Sequence, residues 1–163
     1  MDLIRFNNKE YPKFQSLGNA AQFAIPYAKH VCIGNGFDIG YGKPEWKFPG
    51  AFGIDISDNN GYSATSLPNK LVDYIFSSHL LEHLDNWVDV LDYWSSKIKS
   101  SGVLFLYLPS YSQEYWRPWN NRKHKNIFTQ EIIRDYMSSN GYNNIYYSGE
   151  DLNNSFMIFG QKC

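Results

Sequence analysis

The sequence predicts an α/β fold: a doubly wound, mostly parallel sheet with an antiparallel last strand. Three observations carry this. Short apolar runs at 37–39, 52–56, 71–76 and 103–108 are interleaved with helical patterns, as strand–helix–strand units require. The run Val103-Leu104-Phe105-Leu106-Tyr107-Leu108 is apolar throughout, as a central strand covered on both faces must be. The last two strand-like runs, 145–148 and 156–161, leave no room for a helix between them. The final strand is therefore expected to return antiparallel.

In chain order, Phe14 to Lys29 reads as helix, with Asn19 as N-cap and Ala20, Ala21, Phe23, Ala24 and Tyr27 behind it. Pro26 counts against one uninterrupted helix. Val31 to Ile33 is a short strand-like run. Phe37 to Ile39 reads as a first strand, Phe52 to Ile56 as a second and Tyr62 to Thr65 as a short third. Leu71 to Phe76 is a fourth. Trp87 to Lys99 predicts a helix with Trp87, Leu91, Trp94 and Ile98 on one face, stopped by Gly102. Pro109 bounds the central strand. Thr129 caps a further helix that turns Ile132, Ile133, Tyr136 and Met137 inward and ends at Gly141. No repeat or low-complexity segment interrupts this order, and residues 1–163 read as a single domain.

Composition narrows the function classes. Hydrophobic residues make up 43% of the chain, enough for a real core. The net charge of −1 gives no general pull toward nucleic acid or acidic membranes. Two cysteines, Cys32 and Cys163, are too few for a disulfide framework or a cysteine-rich metal site. The start, with Asp2, Arg5, Lys9 and Glu10, lacks a signal peptide's apolar run. No stretch approaches the roughly 18 apolar residues of a membrane span. A cytoplasmic protein is expected. Aromatic residues, at 18%, are numerous enough to cover a flat sheet or line a pocket.

The most informative stretch is Gly36-Phe37-Asp38-Ile39-Gly40-Tyr41-Gly42, followed by Gly53-Ile54-Asp55-Ile56. Glycines after a strand let the backbone turn sharply and approach a ligand closely. A carboxylate ending the next strand is placed to accept hydrogen bonds from a ribose. Together they predict a nucleoside-type cofactor at the carboxyl edge of the sheet. Gly34, Gly36 and Gly40 also approximate a dinucleotide fingerprint, which would make the chain an NAD-binding oxidoreductase. That reading sets Asp38 at the phosphate turn, where a carboxylate repels pyrophosphate.

With the Leu67-Pro68 pair, the run Ser77-Ser78-His79-Leu80-Leu81-Glu82-His83-Leu84, the strand start Gly102-Val103-Leu104 and the closing Phe156-Met157-Ile158-Phe159, the chain resembles the class I S-adenosylmethionine-dependent methyltransferases. The likeness spans about Phe37 to Lys162. It implies a Rossmann-like sheet of the class I methyltransferase type, with S-adenosylmethionine as cofactor and S-adenosylhomocysteine as product. Gly40, Tyr41 and Gly42 would wrap the methionine part, with Asp38 supporting the turn or reaching the amino group. Asp55 would take the ribose hydroxyls, with Ile56 beside it in the cofactor site. Thr65, Ser66 and Leu67 would cover the adenine, with Asp58 or Ser63 near its amino group. Ser78 and His79 would flank the sulfonium.

The departures from that family are themselves expectations. Only Lys43 to Ala51, with Pro44 and Pro49, lie between the glycine turn and the second strand. That is too short and too proline-rich for more than about one helical turn. The connection from Asp55 to Leu67 is likewise short. The helices after strands 1 and 2 are expected to be vestigial, with residues 1–30 as a helical cover or a homodimer partner in their place.

His79 is a candidate base, because a neutral imidazole accepts a proton near pH 7, and His124 is a second. His79, Glu82 and His83 invite a metal reading. No third cluster supports it and the His-Glu-x-x-His spacing is absent, so no metal is expected. Glu82 and His83 are expected to orient one another or cap the next helix. Residues 109–128 form a candidate substrate lid holding Tyr111, Tyr115, Trp116, Trp119, Arg117, Arg122, Lys123, His124 and Lys125. Tyr111, Tyr115, Trp116 and Arg117 are the candidate acceptor contacts, since aromatics stack on flat faces and Arg holds anionic groups. The expected activity is methyl transfer to a small-molecule or glycan-type acceptor, with a slight preference for oxygen. The alternative is a non-catalytic methyltransferase-like binding protein.

Overall fold

A computed structural model describes residues 2–6, 8–113 and 123–163, with backbone alone at Phe6. The chain opens with an antiparallel hairpin of β1 (Leu3–Phe6) and β2 (Lys9–Pro12). Helix α1 (Ala21–Ala28) follows, then β3 (Gly36–Ile39), β4 (Phe52–Ile54), β5 (Val72–Ser78), α2 (Trp87–Ser96), β6 (Ile98–Pro109), α3 (Gln130–Ser139), β7 (Tyr142–Tyr147) and β8 (Ser155–Lys162). The main sheet has six strands in the order β4-β3-β5-β6-β8-β7. The first four are mutually parallel, and β8 runs antiparallel to both β6 and β7. Strand order reverses between β3 and β5, which places the ligand crevice at their carboxyl ends.

The alternation of β5 and β6, with a register shift between Val72 and Tyr74, divides the core into two faces of different chemistry. Val72, Ile75, Leu104, Leu106 and Leu108 point to one side, onto Leu91 and Trp94 of α2 and Ile133 and Met137 of α3. Tyr74, Phe76, Phe105 and Tyr107 point to the other, onto Ala21, Ala24 and Ala28 of α1 and onto Phe48. The second face has little helix to bury it. Large rings on the sheet meet alanines on a short helix, and Phe48 from the β3–β4 connection stacks 5.5 Å from Tyr74 and 4.9 Å from Phe76. The aromatic richness of the chain thus fills volume that a longer helix would otherwise occupy.

The two short connections contain no α-helix: Pro44–Trp46 and Ile56–Asp58 are single 3₁₀ turns. Several local expectations are corrected. Ile98 and Lys99 open β6 instead of closing α2, because Ile98 pairs with Val72 across the sheet. An apolar residue one turn beyond Trp94 fits a helix stripe and a strand start equally well. Tyr62 to Thr65 is no strand; a Ser63–Ser66 bridge closes a tight turn there. Val31 to Ile33 is no strand either, which removes the strand a dinucleotide fingerprint needs. Asn19 lies in the left-handed region at φ +54, and Ala20 takes the N-cap position of α1 without a side-chain cap. On α3, Thr129 accepts from the Ile132 N–H as expected, but Ile132 itself faces out.

Candidate active site

The glycine turn leaves β3 at Ile39. Gly40 adopts φ +81 and its N–H donates to the Ile54 carbonyl at 2.7 Å, tying the turn to β4. A Cβ on Gly40 would lie 2.6 Å from the Leu80 side chain, so only glycine suits both the φ and the space. Gly42, at φ +76, donates its N–H to Asp55 Oδ2 at 2.9 Å. The turn and the carboxylate at the end of β4 are therefore in direct contact. Asp55 Oδ1 also accepts from the Ser57 N–H and hydroxyl. Partial burial pushes the Asp55 carboxyl up, but the Ser57 and Gly42 hydrogen bonds together hold it below its usual value. The Tyr41 hydroxyl donates to Asp58, laying the ring across Gly53.

Asp38 points to the opposite side of the sheet from Phe37 and Ile39 and is buried. Its Oδ2 accepts the Phe48 N–H at 2.6 Å. Burial pushes its carboxyl up to about 7, against the pull of that hydrogen bond and of Lys47.

The other end of the crevice is a cluster of imidazoles around one carboxylate. His79 ends β5 in the left-handed region, at φ +50, held by its N–H to the Tyr107 carbonyl at 2.8 Å. Strain of this kind costs roughly 1–3 kcal/mol and turns the ring into the crevice. Glu82 is fully buried, and its Oε1 lies 3.7 Å from His79 Nδ1, 3.8 Å from His83 Nε2 and 3.9 Å from His124 Nε2. The Glu82 carbonyl accepts the N–H groups of Lys125 and Asn126, which draws the 123–126 segment onto the 81–83 turn. The His83 and His124 rings meet edge to face at 4.5 Å. Burial pushes Glu82 up to about 8. Burial and the neighbouring imidazoles push His79 down to about 3 and His124 to about 4, so both rings are neutral at pH 7.

A cavity of about 470 Å³ joins the two ends, within the range of a small-ligand site. Its wall is completed by the segment 14–21. That segment is anchored by Gln15, which donates to Asn154 Oδ1 and accepts from Gln113 Nε2. Of the residues singled out in the sequence, Asp38, Gly40, Tyr41, Gly42, Ser78, His79 and His124 line this cavity. Asp55 touches its wall through Gly42. Ile56 is 82% exposed, Thr65 and Ser66 are exposed, and Leu67 packs in the core with its N–H on the Tyr93 hydroxyl. None of these four borders the cavity, and neither does Tyr111. Tyr115, Trp116 and Arg117 lie outside the described residues. Sequence reasoning missed Gln15, Gln113 and Asn153 entirely. It also missed that Glu82, His83 and His124 converge, because His124 is separated from them by a helix and a strand.

The cavity suits a sulfonium nucleoside. Bare glycine backbone allows close approach at one end, the Asp38 carboxylate faces in, and the buried Ser78 Oγ has no hydrogen-bond partner among the described residues. This is the fold and crevice of a nucleoside-cofactor transferase. The chain belongs to the methyltransferase-domain family, whose model matches residues 18–147. It is an S-adenosylmethionine-dependent methyltransferase.

Solved structures share the architecture at low identity. A SAM-dependent methyltransferase from Archaeoglobus fulgidus is 19% identical, with a TM-score of 0.64 over 91% of this chain and 94% of that one. A SAM-dependent methyltransferase from Thermotoga maritima is 17% identical, with a TM-score of 0.66 over 88% and 90%. The N-methyltransferase NodS from Bradyrhizobium japonicum, in complex with S-adenosyl-L-homocysteine, is 13% identical, with a TM-score of 0.62 over 93% and 88%. No curated protein matches the chain in sequence. No helix among the described residues is long and apolar enough to cross a membrane.

Proposed function

We propose that this enzyme methylates an oxygen of a small, polar, sugar-like acceptor bound at the histidine end of the cavity. The observation that carries the reading is a pair of buried polar atoms on the cavity wall, Ser78 Oγ and Gln113 Oε1, with no hydrogen-bond partner among the described residues. Buried polar atoms need partners, and two of them beside neutral imidazoles suit a ligand rich in hydroxyls. When bound, S-adenosylmethionine supplies an electrophilic methyl group on a sulfonium. The chain's own contribution is alignment and exclusion of water. Gly40 to Gly42 and Asp38 would hold the methionine part, and Asp55 the ribose side through the braced turn. His79 would orient the acceptor hydroxyl. His79 Nε2 lies 2.9 Å from Ser155 Oγ, and when that hydroxyl donates to the Asn153 carbonyl the proton of the His79–Ser155 contact sits on Nε2. Nδ1, 3.7 Å from Glu82 Oε1, would be the atom that meets an acceptor hydroxyl.

The test is label transfer from methyl-labelled S-adenosylmethionine to matched polyol, phenol and amine acceptors. Label in hydroxyl acceptors, lost in His79→Ala, supports the reading. Label confined to amines overturns it. A folded protein that binds S-adenosylhomocysteine yet labels no acceptor in the panel argues for the non-catalytic alternative.

A further inference from the structure

We propose that Glu82, His83 and His124 bind a divalent transition-metal ion at the floor of the cavity, with coordination positions left open for an acceptor oxygen. The Glu82 carboxylate is fully buried, and neither oxygen has a hydrogen-bond partner among the described residues. Its Oε1 is ringed by three imidazole nitrogens at 3.7 to 3.9 Å, too far for hydrogen bonds.

The proton positions explain why. His83 Nδ1 lies 2.7 Å from the Lys123 carbonyl, which can only accept, so the proton is on Nδ1 and the Nε2 lone pair faces Glu82. His79 Nδ1 lies 3.7 Å from the same oxygen. A buried carboxyl and imidazoles that share no hydrogen bond leave ligand atoms facing one another, an arrangement that a cation among them would turn into coordination. An outer ring N–H anchored on a carbonyl is also how metal-ligating histidines are usually held.

The geometry allows closure. One ligand atom from each of Glu82, His83 and His124 lies within 4.8 Å of the others. Ligand atoms about 2.0–2.2 Å from a metal stand roughly 3–3.5 Å apart, so the carboxylate–imidazole gaps need only a few tenths of an ångström of contraction. Two imidazoles with one carboxylate suit zinc, iron or nickel better than magnesium or calcium. Such a set leaves positions open, and all three residues border the cavity. A hydroxyl on the ion is more acidic than one in water, which the neutral imidazoles do not achieve alone. This role rests on the methyltransferase reading; binding of the ion does not. The sequence expectation of no metal rested on the lack of a further cluster and of the His-Glu-x-x-His spacing; the fold brings His124 to Glu82 and His83 from a distant segment.

The test titrates the chelator-treated full chain with Co²⁺ and follows visible d–d absorption, with Zn²⁺ as competitor. One equivalent of Co²⁺ should bind and be displaced by Zn²⁺. His83→Ala and His124→Ala, checked for folding by circular dichroism, should each weaken Co²⁺ binding more than about 100-fold, since loss of outer-shell support alone costs 10–100-fold. Adding acetohydroxamate, a bidentate oxygen ligand, should shift the bands. No binding by folded wild type, or undiminished binding in both variants, overturns the site. Bands unmoved by acetohydroxamate overturn its open positions. Calorimetry with S-adenosylhomocysteine on the same metal-free sample separates the two proposals. Nucleoside binding without Co²⁺ binding removes only the metal site, and the reverse removes only the placement of the methyl donor.

Discussion

At its glycine end the cavity is lined by Asp38, Gly40, Tyr41 and Gly42 from one short stretch, with Trp46 close by in sequence. At its histidine end it is made from segments near 15, 79–83, 113, 123–124 and 153, brought together only by the finished fold. The first end is built from backbone: φ angles that only glycine adopts easily, and N–H groups held by a neighbouring carboxylate. The second is built from side chains of distant segments, among which Ser78 Oγ, both Glu82 oxygens and Gln113 Oε1 have no hydrogen-bond partner among the described residues. Under the proposed reading the first would hold the cofactor and the second would leave room for the acceptor.

Substitutions should therefore act differently at the two ends. The largest effect belongs to Gly40→Val. A β-branched residue at φ +81, against Leu80, should lower stability by roughly 2–5 kcal/mol, combining backbone strain with overpacking. Chemical denaturation measures this, and a loss under about 1 kcal/mol would mean the turn is not locked.

Asp38 gives a pH signature with two opposite slopes. Its carboxyl sits near 7 in the folded chain against an ordinary 3.8. The folded state holds the extra proton between those values, so this group's contribution to stability is complete below about pH 4 and is lost as pH rises through 7. Cofactor binding runs the other way, because a cationic ligand needs the ionised form. Nucleoside affinity should fall by up to about tenfold per pH unit below 7. Melting curves and calorimetry from pH 5.5 to 8.5 would show both trends. Parallel slopes would remove Asp38 from the cofactor's surroundings.

Asp55→Ala releases Gly42 and Ser57 together and should weaken cofactor binding by about 1–3 kcal/mol. Unchanged affinity in a folded variant would place the ribose elsewhere. Thr65→Ala should change affinity by less than about 0.5 kcal/mol, as an exposed position away from the cavity. A tenfold loss would extend the glycine end over the adenine.

The same contrast explains what the sequence could say. β6 was legible because every position from 103 to 108 is apolar, and α3 because Thr129 caps it and Gly141 follows. The glycine turn was legible because its contacts are local, and Asp55 only through its joint occurrence with that turn, since a strand-end carboxylate alone is common. The β1–β2 hairpin was not, since Leu3 to Pro12 carries no clean alternation and no Asn-Gly or Asp-Gly turn. Thr65, Ser66 and Ile56 were carried over from longer relatives, and the shortened connections leave them outside the cavity. Glu82 was read as a local partner of His83; its burial among three imidazoles depends on contacts across 40 residues that no spacing rule encodes.

The most direct measurement is calorimetric titration of S-adenosylhomocysteine into wild type and Asp38→Asn at pH 8. Asparagine keeps an oxygen for the Phe48 N–H but removes the charge. A single-site isotherm for wild type, weakened at least about tenfold in a variant that melts no lower, is the expected result, the loss of one charge-assisted contact being worth about 1.5–3 kcal/mol. Equal affinity in the two proteins would contradict the placement of the methyl donor between the glycine turn and the histidines.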